Sequence, residues 1–473
     1  MRSIHVVMGI GLSATAAGLL IGCGGYGGGM NYVMNGPMPT VTITVPAKAS
    51  AINLGQSVQL KWTSNYASSC TASSSSSIGG ALTGTQSTNG TVTVAPTGSG
   101  TVTYKITCSG AGGTASATTA MVTVNPSILS TLSPSRITTI GPTPDSIEQG
   151  GNPYGLTIAP KTAGLITAGD LIVCNFNDGA TNTQGLGTTI TGLHPVAGAT
   201  PYLIANSPLL LGCNALTILP DDSISAAAYS ANQNALVTAD GTVNTPFSAD
   251  TFANPWGEAY APAQGSGAAA LYVSSADGTV DRITLAGDAQ ASFTRIASGF
   301  CGSGTPGAIY APAGLTYDAS IDTLYMVDTS SYSVVAFVNV SGIGADGVVV
   351  QGQCSSVAAP PTPAPTFSGP SASSARVIAN GGPFIAPLSA ALLADGDLIV
   401  ANSDINIGAG QTPNLVVEVS PVLPGGFVGQ PVQLDSSGTP GALFGIVATV
   451  DGSGNQLVYF NDDNTNSVML LTK

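Results

Sequence analysis

The chain has 473 residues, of which only 7% are charged, and its formal net charge is −14. This length exceeds one ordinary hydrophobic core, so we expect two domains, and abundant β-branched and turn residues predict an all-β protein. The excess of 24 acids over 10 bases opposes nucleic-acid binding, which depends on Lys and Arg that neutralise phosphates.

The first 22 residues have the pattern of an export signal. Arg2 provides a positive charge, and residues 6–21 are apolar but too short for a stable membrane span. The stretch ends in Leu-Ile-Gly-Cys at residues 20–23, which resembles the lipobox of bacterial lipoproteins, with Ile21 where Ala or Ser is more usual. The resemblance implies cleavage before Cys23 and acylation of its thiol. Ordinary cleavage nearby, with Cys23 unmodified, is the alternative.

The residues after Cys23 indicate where in the cell the protein would be attached. Lipoproteins retained at the inner membrane often have Asp after the acylated cysteine, whereas this chain has Gly24. The resemblance therefore implies attachment to a lipid bilayer through Cys23, in the cell envelope at the outer membrane or cell surface. Residues 23–39 are Gly-rich and polar, which predicts a flexible tether. Loss of residues 1–22 removes one base and leaves 9 bases against 24 acids, a net charge of −15.

Lipidation of Cys23 would leave six of the seven cysteines. In an oxidising compartment six cysteines can pair fully, and many pairings are possible in principle. Sequence order and the domain boundaries select three. The predicted disulfides are Cys70–Cys108, Cys174–Cys213 and Cys301–Cys354.

Residues 40–126 are the first predicted domain. Five short segments alternate like half-buried strands, as in a β-sandwich. They are residues 40–45, 57–62, 90–94, 101–108 and 120–124. The order of Trp62, Cys70, Tyr104 and Cys108, followed by a Gly-rich turn, resembles the bacterial Ig-like domains of cell-surface proteins. That resemblance implies a spacer or adhesive module.

Residues 127–473 contain a recurring unit of a turn, two apolar strands, an Asp-led turn and a third strand. Its clearest copy spans residues 311–338. Such recurrence predicts a β-propeller, with six blades. The predicted first strands begin near Pro153, Pro208, Pro255, Pro312, Pro387 and Gly441. The Pro-x-Gly opening followed by Leu-Tyr-x-x-Asp, best at residues 312–328, resembles NHL-type repeats.

The second strands and the ring closure follow from the same repeat. The second strands are predicted at residues 171–173, 235–237, 271–273, 324–327, 398–400 and 457–460. After the strand at residues 467–471, blade six lacks a fourth strand. Residues 135–140 are a spare strand, and pairing them with blade six would close the ring and remove an exposed edge.

The sequence contains no familiar catalytic motif. G-x-S-x-G, H-E-x-x-H and C-x-x-C are absent. One histidine, His194, would remain in the mature chain, so a Ser-His-Asp triad would depend on it. We predict no catalytic residue, metal ligand or cofactor.

The turns that follow the second strands contain Asp or Asn in five of the six predicted blades. The acids are Asp178, Asp277, Asp328, Asp404 and Asp462. In a propeller these turns lie on one face. Asp is also a default turn residue, because its side chain accepts hydrogen bonds from its own turn. Turn capping is therefore the first interpretation, and an acidic ring that binds a cation or a cationic ligand is the second.

Together these patterns predict a lipid-anchored envelope protein. An Ig-like spacer would present a non-catalytic β-propeller to a protein or glycan ligand that the sequence does not identify. The alternative is a metal-dependent propeller hydrolase or lyase that acts outside the cytoplasm. Its metal site would use carboxylates and amides, because only His194 is available.

Overall fold

The computed structural model describes residues 36–46, 50–80, 82–245, 247, 252–265, 267–287, 289–351, 361–421 and 427–473. These residues are mostly β-strand, which confirms the all-β prediction. The predicted signal at residues 1–22, Cys23 and most of the tether lie outside the described residues. Within the described part, no helix has both the length and the apolar character needed to cross a membrane.

Ten strands form the N-terminal module. They are β1 (Thr40–Thr44), β2 (Ala51–Asn53), β3 (Val58–Asn65), β4 (Ser69–Ser74), β5 (Gly84–Gln86), β6 (Gly90–Val94), β7 (Gly100–Val102), β8 (Tyr104–Gly110), β9 (Gly113–Thr118) and β10 (Val122–Asn125). Their sheets have the orders β1-β3-β6, β2-β10-β7 and β5-β4-β8-β9. Every second side chain of β3 is buried, as its alternating sequence predicts.

The core of this module surrounds a disulfide bond. Cys70 on β4 and Cys108 on β8 are paired across the sheet and bonded, which confirms the first predicted pair. Trp62 and Tyr104 lie in the same buried cluster, and the Trp62 indole N–H donates to the carbonyl of Ser87 (3.0 Å). Trp62 is therefore a core residue.

A short connector leads to the second part of the chain. It consists of the helix α1 (Ile128–Thr131), a 3₁₀ turn at Pro134–Arg136 and the strand β11 (Ile137–Pro142). Further 3₁₀ turns occur at Ser77–Gly79, Pro208–Leu210, Val340–Gly342 and Ala372–Ser374.

Six sheets of four or more strands follow in the described part of residues 137–473. The first three contain β12 (Gly151–Ile158), β13 (Leu171–Asn177), β14 (Gln184–Leu193) and β15 (Tyr202–Asn206); β16 (Cys213–Ile218), β17 (Ile224–Ala228), β18 (Gln233–Val237) and β19 (Val243–Asn244); and β20 (Pro255–Ala261), β21 (Ala270–Ser275), β22 (Thr279–Ala286) and β23 (Ala289–Ser298). A hairpin of β24 (Ser303–Thr305) and β25 (Ala308–Tyr310) comes next.

The other three sheets complete the chain. The fourth contains β26 (Pro312–Asp318), β27 (Thr323–Asp328), β28 (Ser333–Val338) and β31 (Ala375–Asn380), while the intervening β29 (Val348–Gln351) and β30 (Thr366–Ser368) extend the third sheet. The fifth contains β32 (Pro387–Leu392), β33 (Leu398–Asn402), β34 (Leu415–Ser420), β35 (Phe427–Val428) and β36 (Val432–Gln433), and the sixth contains β37 (Leu443–Val450), β38 (Gln456–Asp462) and β39 (Ser467–Leu471).

The first strands of the six sheets contact one another in a closed cycle, in the order β12, β16, β20, β26, β32, β37 and back to β12. Each has a register shift against its second strand near its start, and such bulges increase strand twist. Sheets arranged radially around their first strands define a β-propeller.

The last sheet takes its fourth strand from the start of the domain. β11 pairs antiparallel with β39, with Ile137 opposite Leu471. The observed strand, Ile137–Pro142, overlaps the predicted spare strand at residues 135–140. It covers an edge of β39 that would otherwise offer unpaired backbone groups.

The predicted strands of the second sheet are wrong in position. Pro208 begins a 3₁₀ turn, and the first strand begins at Cys213. Residues 235–237 belong to the third strand, because the second strand is Ile224–Ala228. All five residues of that strand are buried and three are alanine, so it shows neither alternation nor β-branched enrichment.

The propeller also contains a confirmed disulfide. Cys174 on β13 is bonded to Cys213 at the start of β16, which links the first two sheets. Cys301 is also disulfide-bonded. Cys354 lies outside the described residues, so the Cys301–Cys354 pairing stays a prediction.

Candidate functional site

The five predicted acids all lie at turns that follow second strands. Asp178 is half-buried, and its carboxylate accepts hydrogen bonds from the Thr181 hydroxyl and from the N–H groups of Thr181 (2.8 Å) and Thr183 (2.7 Å). These hydrogen bonds, above all that from the Thr181 side chain, hold the pKa of Asp178 below its usual value. Asp277 likewise accepts from the Thr279 hydroxyl (2.6 Å).

The other three acids are buried but bind their turns in the same way. Asp328 accepts from the N–H (3.1 Å) and hydroxyl (2.6 Å) of Ser330. Asp404 accepts from the N–H of Asn414 (2.6 Å), and Asp462 from that of Thr465 (3.2 Å). Among the described residues, these acids form no group whose oxygens could share one ion. The geometry supports turn capping.

Aromatic side chains fill the channel at the end where the first strands begin. The ring of Tyr154 stacks on Phe444 (centroids 4.1 Å apart) and Phe176 (4.4 Å). Trp256 contacts Tyr154 and Tyr229 edge-on, at 5.5 Å from each. All five rings are buried in one cluster, which we call the aromatic plug. Offset and edge-to-face ring pairs stabilise such a cluster beyond its buried area.

The amino-acid sequence contains a pattern that marks the aromatic plug, although no site was predicted there. An aromatic residue precedes glycine in three first strands, at Tyr154-Gly155, Trp256-Gly257 and Phe444-Gly445. The glycines allow the strands to approach closely. A Cβ on Gly445 would lie 2.5 Å from the Tyr154 carbonyl oxygen, closer than contact distance.

Two adjoining cavities lie beyond the plug, inside the ring of first strands. The inner one, of about 90 Å³, is bounded by Tyr154, Trp256 and Phe444 of the plug. The outer one, of about 350 Å³, lies toward the ends of the first strands. Both are lined by Leu156 and Glu258, so they form one channel. Five hydroxyl-bearing residues contribute to the lining of the outer cavity, namely Thr157, Thr217, Tyr260, Thr316 and Tyr317. The Thr316 hydroxyl donates to the Ala390 carbonyl (2.6 Å) and the Tyr317 hydroxyl to Asp322 Oδ1 (3.0 Å).

Among the described residues that line this channel, Glu258 is the one with an acidic or basic side chain. Its Oε1 accepts a hydrogen bond from Asn234 Nδ2 (2.9 Å), while its Oε2 and Asn234 Oδ1 are buried without a hydrogen-bond partner in the described part of the chain. Burial raises the pKa of Glu258 to about 7. A carboxyl group with such a pKa exchanges a proton near neutral pH, which is typical of functional sites.

Glu258 was not predicted as a site residue, although the sequence of the first strands contains a signal for it. The position after the glycine, or its equivalent, is apolar in the other five first strands. These residues are Leu156, Leu216, Leu315, Ala390 and Ile446. A glutamate within this apolar register indicates a special environment.

His194 has a local structural partner. Its Nδ1 lies 2.6 Å from Asp170 Oδ1, and its ring lies beside Tyr202. The Tyr202 hydroxyl donates to Asp170 Oδ2 (2.6 Å). These contacts fix the end of the first sheet and do not form a Ser-His-Asp arrangement.

The fold and the channel place the chain in the class of β-propeller proteins. No protein-family model and no curated protein matches it. Among solved structures, it resembles virginiamycin B lyase from Staphylococcus aureus in complex with quinupristin (13% identity, TM-score 0.40, 72% of this chain and 99% of that one). It also resembles a gluconolactonase from Xanthomonas campestris (15%, 0.39, 70% and 98%) and a putative phosphatase from Bacteroides thetaiotaomicron (10%, 0.44, 91% and 97%).

These comparisons correct one prediction. The expectation that the protein is not an enzyme is wrong, because structural neighbours of its propeller include a lyase and a gluconolactonase. At these identities the likeness concerns the fold alone. One fold supports many functions, so the function has to be argued from the residues of this chain.

Proposed function

We propose that the protein is a cell-envelope lipoprotein anchored through acylated Cys23, whose propeller binds a ligand in its channel. Residues 40–126 form an Ig-like spacer, and residues 127–473 form a six-bladed, NHL-like propeller. The lipobox at residues 20–23 supports the anchor. The closed cycle of six first strands supports the blade number, and the Cys70–Cys108 bond beside Trp62 supports the Ig-like assignment.

The asymmetry of the channel is the observation that supports this proposal. The aromatic plug closes the end where the first strands begin, so a ligand has to enter from the other end. The outer cavity there, of about 350 Å³, falls within the usual range for small-ligand pockets. Its lining includes Tyr260, Tyr317, three threonines and Glu258. An uncharged, hydroxyl-rich ligand such as a short glycan fits this lining, since an anion would be repelled by Glu258 and by the net charge.

The binding proposal can be tested with the mature chain, residues 23–473, on an array of short envelope glycans. Thr217→Trp places a bulky side chain in the outer cavity and should weaken binding at least ~10-fold. Val196→Trp is the control, because Val196 is 60% exposed on a loop and should bind like wild type. Equal binding by both variants would exclude the channel, and failure of wild type to bind any glycan would exclude this ligand class.

A second candidate function follows from Glu258. A carboxyl group with a pKa of about 7 in a channel wall is suited to general acid–base chemistry, as in a hydrolase or lyase. Any ligand found on the array should then be incubated with wild type and with Glu258→Gln. Product formed by wild type alone, with binding retained by the variant, would assign proton transfer to Glu258. Equal turnover by both would exclude that role.

A further inference from the structure

Three carboxyl groups meet in the fifth sheet, apart from the channel and the predicted acids. Asp395 and Asp397 lie in the turn between β32 and β33, and Glu418 lies on β34. One oxygen from each lies within 4.8 Å of the others. We call this group the carboxylate trio.

Two members of the trio are buried, Asp395 is half-buried, and the described residues supply no compensating positive charge. Asp397 is 1% exposed and Glu418 is fully buried. None of the three ion pairs found among the described residues includes a member of the trio. Burying carboxylates together costs free energy unless protons or a cation neutralise them.

Asp397 points to a bound ligand. Neither of its carboxylate oxygens has a hydrogen-bond partner in the described part of the chain, although Ser420 and Glu418 lie beside it. The Ser420 hydroxyl is also buried without a partner. The carboxylate oxygens of Asp397 and the hydroxyl oxygen of Ser420 all have lone pairs that a cation could accept as ligands.

The other two carboxylates are held in place by the connector and the N-terminal module. Glu418 accepts hydrogen bonds from the N–H groups of Ile128 (3.1 Å) and Leu129 (2.5 Å). Asp395 Oδ2 accepts from the side chain of Asn53 (2.9 Å), and its Oδ1 from the N–H of Asp397 (3.1 Å). The trio therefore lies where the module, the connector and the propeller meet.

The first sheet provides an internal comparison. Gly-Asp-Leu-Ile-Val occurs at residues 169–173 and again at 396–400, so Asp170 and Asp397 occupy the same position before a second strand. Both are 1% exposed. Asp170 has His194, the Tyr202 hydroxyl and the Thr167 N–H as partners. At Asp397, Ser420 occupies the position of His194, because Leu398 pairs with Val419 as Leu171 pairs with Leu193. Two further carboxylates, Asp395 and Glu418, lie beside Asp397, and the first sheet has no such group there among its described residues.

We propose that the carboxylate trio binds one divalent cation, Ca²⁺ in preference to Mg²⁺, at the junction between the N-terminal module and the propeller. The donors are all oxygens, which suits these hard cations. Ca²⁺ accepts irregular geometry and six to eight oxygens, whereas Mg²⁺ requires a near-ideal octahedron. Ca²⁺ bound here draws together the segments that position Asp395 and Glu418, so it stabilises the junction.

The first test measures Ca²⁺ binding to residues 23–473 after treatment with EDTA. Calorimetry should show one Ca²⁺ per chain, and about 1 mM CaCl₂ should raise the melting temperature by at least ~2 °C over NaCl of equal ionic strength. MgCl₂ should have a smaller effect. Absence of a Ca²⁺ response in wild type would overturn the proposal and indicate that the trio shares a proton instead.

Variants of the carboxylate trio test whether Ca²⁺ binds there. Asp397→Asn should weaken Ca²⁺ binding at least ~10-fold. Asp451→Asn is the matched control, because Asp451 lies in the corresponding turn of the sixth sheet and accepts local hydrogen bonds from Ser453 and Asn455. If Asp397→Asn does not fold, Glu418→Gln serves in the same assay. Wild-type affinity in a folded trio variant, or weakened affinity in Asp451→Asn, would place the ion elsewhere.

The effect on the junction has its own measurement. Arg136 is exposed in the connector, so trypsin cleavage after it reports opening of this segment. Ca²⁺ should slow that cleavage several-fold in wild type, and it should not change the cleavage rate of Asp397→Asn. Cleavage that Ca²⁺ does not slow in wild type would refute the stabilisation of the junction.

Discussion

Replacing Glu258 with glutamine should change how the stability of the propeller depends on pH. Burial raises the pKa of Glu258 from 4.5 to about 7 in the folded chain. The folded state therefore binds more protons than the unfolded state between these values. Stability from this group is fully present below pH 4.5 and falls as the pH rises toward 7.

The magnitude follows from the same pKa values. A difference of one unit between the pKa in the folded and the unfolded state corresponds to ~1.36 kcal/mol. The ionised carboxylate therefore destabilises the fold by roughly 3 kcal/mol above pH 7. Because Glu258 is only 6% exposed, solvent screening is weak. The glutamine side chain of the Glu258→Gln variant would be neutral at every pH, and its oxygen could still accept the hydrogen bond that Asn234 donates in wild type (2.9 Å).

Denaturant unfolding at pH 5 and pH 8, followed by tryptophan fluorescence, measures this effect. The free energy of unfolding of Glu258→Gln, relative to that of wild type, should increase by roughly 2–3 kcal/mol from pH 5 to pH 8. Glu148→Gln is the control, because Glu148 is exposed and its variant should follow wild type. A free-energy difference for Glu258→Gln that does not vary with pH would refute the argument from burial.

The remaining predictions concern the chain ends and the third disulfide. Mass spectrometry of the mature amino-terminal peptide should find acyl groups on Cys23, and an unmodified terminus elsewhere would refute the anchor. Deleting Ile137–Pro142 should expose the edge of β39 and cause aggregation, measured by size-exclusion chromatography; a monomer of unchanged stability would refute the role of this strand. Non-reducing peptide mapping should recover Cys301 linked to Cys354, and any other partner for Cys301 would contradict that pairing.

Much of the fold was predictable because its signals are local. Strands such as Val58–Asn65 alternate buried and exposed residues, and the repeated Leu-Ile-Val and Leu-Tyr-Met-Val segments became second strands. The Asp residues at turns kept their local role, since an Asp side chain reaches N–H groups two or three residues away. The second sheet was misplaced because Ile224–Ala228 has no local β signal and is a strand only through its pairing partners.

The all-β class, the repeat and two disulfide pairs could be predicted from the amino-acid sequence, because periodicity, turn chemistry and cysteine order are properties of short segments. The channel and the carboxylate trio could not be predicted, because they form only in the folded chain. The aromatic plug joins rings from Tyr154 to Phe444, and in the trio Glu418 accepts a hydrogen bond from the N–H of Leu129. The plug depends on how separate sheets close into a ring, and the trio depends on how the connector packs on the fifth sheet. Burial in the closed ring raises the pKa of Glu258.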